Sequence, residues 1–151
     1  MALAVGAPVA GRLVGLRGVP DPVFAEAMVG PGTAIDPDRG RGEAVAPIAG
    51  ELVKLHPHAF VVVGEDGRGV LVHLGIDTVR LQGEGFELLA EEGTRVGAGQ
   101  PLIRWDPAAV AASGRSAICP VVALDAAKDQ LSDLREHGEV TTGEILFVVR
   151  D

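Results

Sequence analysis

The chain has 151 residues, of which 47% are apolar and 3% aromatic, and its formal net charge at pH 7 is −8. The length fits one domain over residues 1–151 with an aliphatic core, and the acidic balance argues against binding to nucleic acid or to an anionic membrane, because both require a basic face. A single cysteine excludes an internal disulfide, and no apolar run reaches the roughly 20 residues of a membrane span, so we expect a cytoplasmic protein, monomeric by default.

Glycine and proline punctuate the chain at short intervals, which is typical of short strands joined by tight turns. Helical patterns are confined to residues 107–112, where Asp106 can cap a helix that starts with Pro107, and to residues 126–136, which Gly138 would end. This arrangement predicts an all-β fold, an antiparallel β-sandwich or flattened barrel with short helices. The predicted strands cover residues 9–16, 33–35, 42–46, 50–55, 59–63, 69–74, 101–105, 121–124 and 143–149.

An internal repeat links two of these strands. Residues 7–16 and 46–55 share the pattern Ala-Pro-x-Ala-Gly-x-Leu-Val-x-Leu. Two copies are too few for a solenoid, so we interpret them as a duplicated hairpin unit within one core. A biotinyl or lipoyl carrier hairpin would need a lysine in a Met-Lys-Met-like context, and neither Lys54 nor Lys128 has that context.

Two histidines lie in apolar stretches whose other residues are typical of buried β-strands. His58 directly precedes the apolar run 59–63, and His73 lies within the run 70–76. A neutral imidazole is a nucleophile and a ligand, and its charge changes near neutral pH. The strand alternation places Leu71 and His73 on one face, and the turn between the two strands can bring both imidazoles together. On the residues alone, a core histidine satisfied by a backbone carbonyl is an equally open interpretation of His73.

A third histidine, His56, precedes Pro57, and we interpret it as a solvated turn residue. An alternative is a zinc site with three nitrogen ligands from His56, His58 and His73. No carboxylate or histidine spacing supports such a site, and one cysteine cannot supply a structural zinc motif.

The segment 19–30 combines a loop-like composition with large apolar side chains that we expect to be exposed. Ordinary core packing beneath a long loop is one explanation. The other is an apolar docking patch for a protein partner, rimmed by carboxylates. The apolar residues are Val23, Phe24 and Met28, and the acidic ones are Asp21 and Glu26.

A series of motifs in fixed order spans nearly the whole chain, and through them the chain resembles the stand-alone glucose-class IIA component of the bacterial phosphoenolpyruvate:sugar phosphotransferase system (PTS). The block Leu-Val-His-Leu-Gly-Ile-Asp-Thr-Val at residues 71–79 is highly specific for this family. The matching segments are residues 19–26, 45–47, 58–60, 71–79, 83–86, 91–93, 120–122 and 142–144.

The resemblance implies a flattened all-β sandwich that carries a phosphoryl group between proteins. The implied donor is the phosphohistidine carrier HPr, and the implied acceptor is a cysteine on the IIB domain of a membrane sugar permease. No cofactor is implied, although zinc can bind at a partner interface. The implied roles are phosphorylation for His73, phosphate stabilisation for His58, acidic neighbours for Asp21 and Asp77, and an apolar docking collar for Val23, Phe24, Met28 and Leu71.

The chain departs from the family pattern at His56, where the enteric relative has a threonine close to the active histidine. A second function also remains open, namely a non-catalytic regulatory module of the same fold. Such a module would bind other proteins through the patch around Val23 and Phe24, and could bridge a zinc ion through His58 and His73.

Overall fold

Short strands dominate the protein in the computed structural model, which describes residues 2–151. The strands are β1 Leu3–Gly6, β2 Gly11–Leu13, β3 Gly32–Pro37, β4 Gly42–Val45, β5 Gly50–His56, β6 Ala59–Val63, β7 Gly69–His73, β8 Phe86–Leu88, β9 Arg95–Val96, β10 Pro101–Trp105, β11 Cys119–Ala123, β12 Leu131–Ser132, β13 Glu139–Val140 and β14 Ile145–Val149. The helices are α1 Pro22–Ala25 and α2 Pro107–Ala112, and single 3-10 turns cover Leu16–Gly18, Thr78–Leu81 and Lys128–Gln130. Each α-helix begins with proline after a capping aspartate, Asp21 or Asp106.

The strands form three sheets in which neighbouring strands pair in antiparallel fashion. The largest sheet has the order β13-β2-β3-β11-β7-β6-β5-β9, and the two smaller sheets have the orders β1-β14-β12 and β4-β10-β8. The predicted all-β antiparallel fold with short helices is confirmed. Within residues 2–151 the sheets remain open, so the closed-barrel form of the prediction does not apply.

One aliphatic core joins all three sheets, and its largest buried side chains are Trp105, Phe60 and Phe147. A smaller apolar cluster lies on the other face of the large sheet, because Val121 belongs to the main core and its neighbour Val122 to the smaller cluster. None of the helices in residues 2–151 is long and apolar enough to cross a membrane. The smaller cluster contains Phe24, whose ring packs against one of the two histidines described below.

The two copies of the sequence repeat have the same backbone path, as expected for a duplicated unit. In each copy the chain leaves a small sheet and enters the large one, from β1 to β2 and from β4 to β5. Ala7 exchanges two backbone hydrogen bonds with the turn before β14, and Ala46 does the same with the turn before β10. A Cβ atom at Gly11 or Gly50 would lie 2.2 or 2.1 Å from a carbonyl oxygen of a neighbouring strand, which explains the repeated glycine.

The predicted helix over residues 126–136 is wrong. Asp125, just before the predicted range, and Asp133, within it, adopt left-handed backbone conformations with φ of 53° and 55°, and Asp133 interrupts any continuous helix. Between them the chain forms only the 3-10 turn Lys128–Gln130 and then β12, which pairs with β14. Leu131 and Leu134 therefore pack against the core from strand and loop positions.

The predicted strand boundaries hold best where apolar runs are long. β6, β10 and the helix α2 match their predicted ranges, whereas the predicted strand over residues 9–16 shortens to β2. Gly15 has φ of 68°, and the 3-10 turn Leu16–Gly18 follows it, so the strand cannot continue. The sequence analysis missed β1, β8, β9, β12 and β13, which are only two to four residues long.

Candidate functional site

The β5–β6 hairpin and the end of β7 bring His58 and His73 together. His58 lies in the turn between β5 and β6, and its carbonyl accepts a 2.7 Å hydrogen bond from the Leu74 N–H. His73 is the last residue of β7 and pairs with Ala59, the first residue of β6. The two ring centroids are 5.2 Å apart, with an interplanar angle of 64°. The predicted meeting of the two imidazoles is therefore confirmed.

A tight turn after β7 sets the tautomer of His73. The Nδ1 atom lies 2.5 Å from the Gly75 carbonyl oxygen, which can only accept, so Nδ1 carries the proton and the Nε2 lone pair is free. Gly75 has φ of 80°, and a Cβ atom there would lie 2.7 Å from the Thr78 side chain and 2.8 Å from the Ser116 carbonyl oxygen. The Thr78 hydroxyl donates to the Leu74 carbonyl at 2.8 Å and closes the turn.

Both histidines are held in the neutral form. Burial lowers the pKa of His73, and the Gly75 carbonyl and then the charges of Asp21 and Asp77 oppose this effect. Burial lowers the pKa of His58 from 6.5 to about 4, assisted by the charges of His73 and then of a third imidazole, His56. At neutral pH the site therefore presents a nucleophilic nitrogen beside an uncharged imidazole that can donate a hydrogen bond.

The lowered pKa of His58 predicts a loss of stability in acid. Between pH 6.5 and about 4 the unfolded chain binds a proton at His58 that the folded protein excludes, so the free energy of unfolding falls as the pH decreases. We expect His58→Gln to lose less stability than wild type between about pH 7.5 and about pH 5, as measured by urea denaturation. A matched control is His137→Gln, because three strands separate β13, which follows His137, from β7. Equal acid sensitivity of wild type and His58→Gln would contradict this expectation.

The predicted docking residues divide into exposed and buried members. Val23 is 44% exposed and Met28 is 71% exposed, as the sequence analysis expected. The expected exposure of Phe24 is wrong, because Phe24 is only 8% exposed. Its ring packs 5.4 Å from the His73 ring and belongs to the smaller apolar cluster, together with the partly buried Leu71. Phe24 therefore supports the site from beneath.

The predicted acidic residues act on His73 from two directions. Asp21 caps α1 by accepting the Val23 N–H at 2.9 Å, and Asp77 precedes the 3-10 turn Thr78–Leu81. Their negative charges both raise the pKa of His73, which indicates that both lie close to its ring. The sequence analysis did not single out Val79, which is 57% exposed two residues after Asp77, or Arg115, whose Nε donates to the Asp77 carbonyl at 3.2 Å. The position two residues after Asp77 was a sequence signal for Val79, whereas no local pattern points to Arg115, which is 38 residues from Asp77.

His56 is the last residue of β5, not a turn residue, although its predicted exposure is correct. Its ring stacks on that of His58, with centroids 5.8 Å apart and an interplanar angle of 20°. Within residues 2–151 no group of three His, Cys, Asp or Glu side chains has a geometry that could hold a metal ion, so the three-histidine zinc site is not formed.

An all-β protein that presents two apposed histidines at its surface has the features of a sugar phosphotransferase component, the class that the motif resemblance indicated. A family model described as "phosphoenolpyruvate-dependent sugar phosphotransferase system, EIIA 1" matches residues 3–129. The chain belongs to this EIIA family, and the resemblance drawn from the motifs is confirmed.

Known relatives match the chain over most of its length. It is 37% identical over 144 residues to a protein named PTS system glucose-specific EIIA component from Staphylococcus aureus, covering 94% of this chain and 86% of the relative. The protein of the same name from Staphylococcus epidermidis matches with the same identity and coverage. The solved structure of glucose permease IIA from Mycoplasma capricolum superposes with a TM-score of 0.90 at 35% identity, covering 98% of this chain and 96% of that one.

Proposed function

We propose that this chain carries a phosphoryl group on His73 from phospho-HPr to a cysteine of a sugar-permease IIB domain. The observation that supports this most strongly is the apposition of His58 to a His73 ring whose Nδ1 is held by the Gly75 carbonyl. Because the relatives named above are glucose-specific components, glucose is the sugar that we propose.

In the accepting step, the Nε2 lone pair of His73 attacks the phosphorus atom of the donor phosphohistidine. The N–P bond of the donor breaks as the new N–P bond forms. The donor ring, protonated on its second nitrogen, leaves as neutral imidazole, and the His73 ring takes up the positive charge. The His73 Nδ1 proton stays on Nδ1, hydrogen-bonded to the Gly75 carbonyl, so the step transfers no proton to or from solvent. This arrangement aims the nucleophile without any general base, because the neutral tautomer is already the reactive one.

His58 would stabilise the transferring group. Its pKa of about 4 keeps it neutral at pH 7, and a neutral imidazole has one N–H that can donate to a phosphoryl oxygen. Its ring lies 5.2 Å from that of His73, which is close enough for both rings to contact one phosphoryl group. Donation from a neutral group suits a carrier, because a strongly held phosphoryl group would not be passed on.

The rim of the site would recognise the partners. Val23 and Val79 expose apolar surface that a docked partner can cover, which would exclude water from the reactive phosphoramidate. Asp21 and Asp77 can pair with basic groups on the donor, in agreement with the net charge of −8. Zinc would enter this scheme only at an interface where a partner adds ligands to His58 and His73.

A two-stage transfer assay tests the proposed function. We expect His58→Ala to accept a phosphoryl group from phospho-HPr but to pass it to the IIB domain about 10²-fold more slowly, the usual effect of removing one donor to a developing charge. The assay follows acid-labile phosphate on each protein by intact-mass spectrometry, with His137→Gln as the matched control. If phospho-HPr, enzyme I and phosphoenolpyruvate leave wild type unlabelled, the carrier function is wrong and a regulatory binding module becomes the explanation.

A further inference from the structure

The turn that orients His73 is held by hydrogen bonds on both of its sides. On the β6 side, the Leu74 N–H donates to the His58 carbonyl at 2.7 Å. On the β11 side, the Ile76 N–H donates to the Ser116 carbonyl at 2.9 Å, so the segment that leads into β11 runs alongside the chain beyond the end of β7. The loop between α2 and β11 is therefore part of the framework of the site.

One side chain of this loop reaches further along the turn. The Arg115 Nε atom donates to the Asp77 carbonyl at 3.2 Å, and the same carbonyl accepts the Arg80 N–H at 3.2 Å. Arg115 is partly buried, and its Nη1 atom lies 3.5 Å from the hydroxyl oxygen of Ser113, the C-cap residue of α2. Arg115 therefore links the end of α2 to the start of the 3-10 turn Thr78–Leu81.

The backbone of Asp77 needs such support. Its φ of 60° and ψ of 17° lie in the left-handed region, which is unfavourable for a residue that has a Cβ atom. A conformation of this kind persists only when the surrounding contacts hold it. The Arg80 N–H holds the Asp77 carbonyl from within the 3-10 turn, and Arg115 holds it from outside. The direction of the exposed Asp77 side chain follows from this backbone conformation.

We propose that Arg115 is a positioning residue of the phosphoryl site, which holds the Asp77 carbonyl and thereby fixes the Asp77 carboxylate where it meets a basic group of the donor. The inference rests on the functions proposed above for His73 and Asp77. Burial lowers the pKa of His73, and the Asp77 charge is among the effects that oppose this change, which indicates that the carboxylate lies near the His73 ring. In this role Arg115 exchanges no proton, so the steps of phosphoryl transfer are unchanged.

The sign of the effect separates a positioning role from an effect of charge. Arg115 is a cation beside an acidic rim, so its charge alone would repel a basic donor, and removing that charge would strengthen docking. Removing a positioning residue would weaken docking instead. Two variants distinguish these roles. Arg115→Gln loses the charge but keeps an N–H donor as many bonds from Cα as Nε is, whereas Arg115→Met loses both the charge and the donor.

The measurement is the single-turnover rate of phosphoryl acceptance at increasing concentrations of phospho-HPr, which gives a half-saturating concentration and a maximum rate. We expect Arg115→Met to raise the half-saturating concentration about three- to fivefold, the size typical of an exposed charge pair. Its maximum rate should remain that of wild type, because the His73 ring and the Gly75 carbonyl are retained. Arg115→Gln should resemble wild type in both quantities.

A double-mutant cycle with Asp77→Asn tests whether the effect passes through Asp77. In the Asp77→Asn background, Arg115→Met should raise the half-saturating concentration no further, because the carboxylate that Arg115 positions is gone. A purely structural role would act equally in both backgrounds, and urea denaturation of all four proteins measures any shared loss of stability.

Three results would overturn the inference: an equal effect of Arg115→Met in both backgrounds, equal behaviour of the Gln and Met variants, or a lower half-saturating concentration for Arg115→Met. If wild type accepts no phosphoryl group from phospho-HPr, the proposed function itself is wrong, and the inference falls with it.

Discussion

Replacing His73 with glutamine is expected to abolish phosphoryl acceptance, lowering its rate by roughly three orders of magnitude or more. The Nε2 atom of His73 carries the lone pair that the turn at Gly75 leaves free for attack. A glutamine amide nitrogen cannot replace it, because it is not a nucleophile. The measurement is the time course of acid-labile phosphate on the chain after addition of phospho-HPr. We do not expect the neighbouring imidazole of His58 to replace His73, because the Gly75 carbonyl orients the His73 ring for attack.

Two controls make this result specific. His58→Gln and His137→Gln are both expected to accept the phosphoryl group, because each retains the His73 ring and the Gly75 carbonyl that orients it. Circular dichroism and urea denaturation of the His73→Gln variant would verify that it remains folded. Labelling of His73→Gln at the wild-type rate would show that another residue is the acceptor.

The second large effect is expected at Gly75. Gly75→Ala should lower the free energy of unfolding by about 2–4 kcal/mol, since it adds left-handed strain to a steric clash. The new Cβ atom would lie 2.8 Å from the Ser116 carbonyl oxygen, and backbone cannot move aside as a flexible side chain can. The same displacement would move the Gly75 carbonyl away from Nδ1 of His73, so slower phosphoryl acceptance should accompany the loss of stability.

Gly67 provides the matched control for this substitution. It has φ of 84°, close to that of Gly75, but a Cβ atom added there would have no neighbouring atom within 4 Å. Gly67→Ala should therefore cost only the conformational strain, about 1–2 kcal/mol. Urea denaturation of both variants measures the difference. Equal stability of Gly75→Ala and Gly67→Ala would contradict the assigned role of the turn.

The central geometry of the site follows from local sequence rules. Alternation along residues 69–74 places Leu71 and His73 on one face, and the hairpin turn at Pro57 brings His58 to the same end of the sheet. The repeated glycines of the duplicated unit likewise mark positions where another backbone approaches closely, which is a property that a sequence can reveal.

Features that depend on distant contacts could not be predicted in this way. Phe24 looks like an exposed loop residue in sequence, but tertiary contacts with Leu16 and Ile76 bury it beneath the site. The helix predicted for residues 126–136 fails because Asp133 takes a left-handed conformation that many aspartates do not adopt. The stacking of His56 on His58 requires the register between β5 and β6, which no local pattern specifies.

The most direct test of the central claim is phosphorus–nitrogen correlation by NMR on phosphorylated wild-type protein labelled with ¹⁵N at histidine. Because the protonated Nδ1 of His73 donates a hydrogen bond to the Gly75 carbonyl, the ³¹P nucleus should couple to ¹⁵N at Nε2 of His73. Coupling to Nδ1 of His73, or to either nitrogen of His58, would contradict the assignment of the nucleophile and of the turn that orients it.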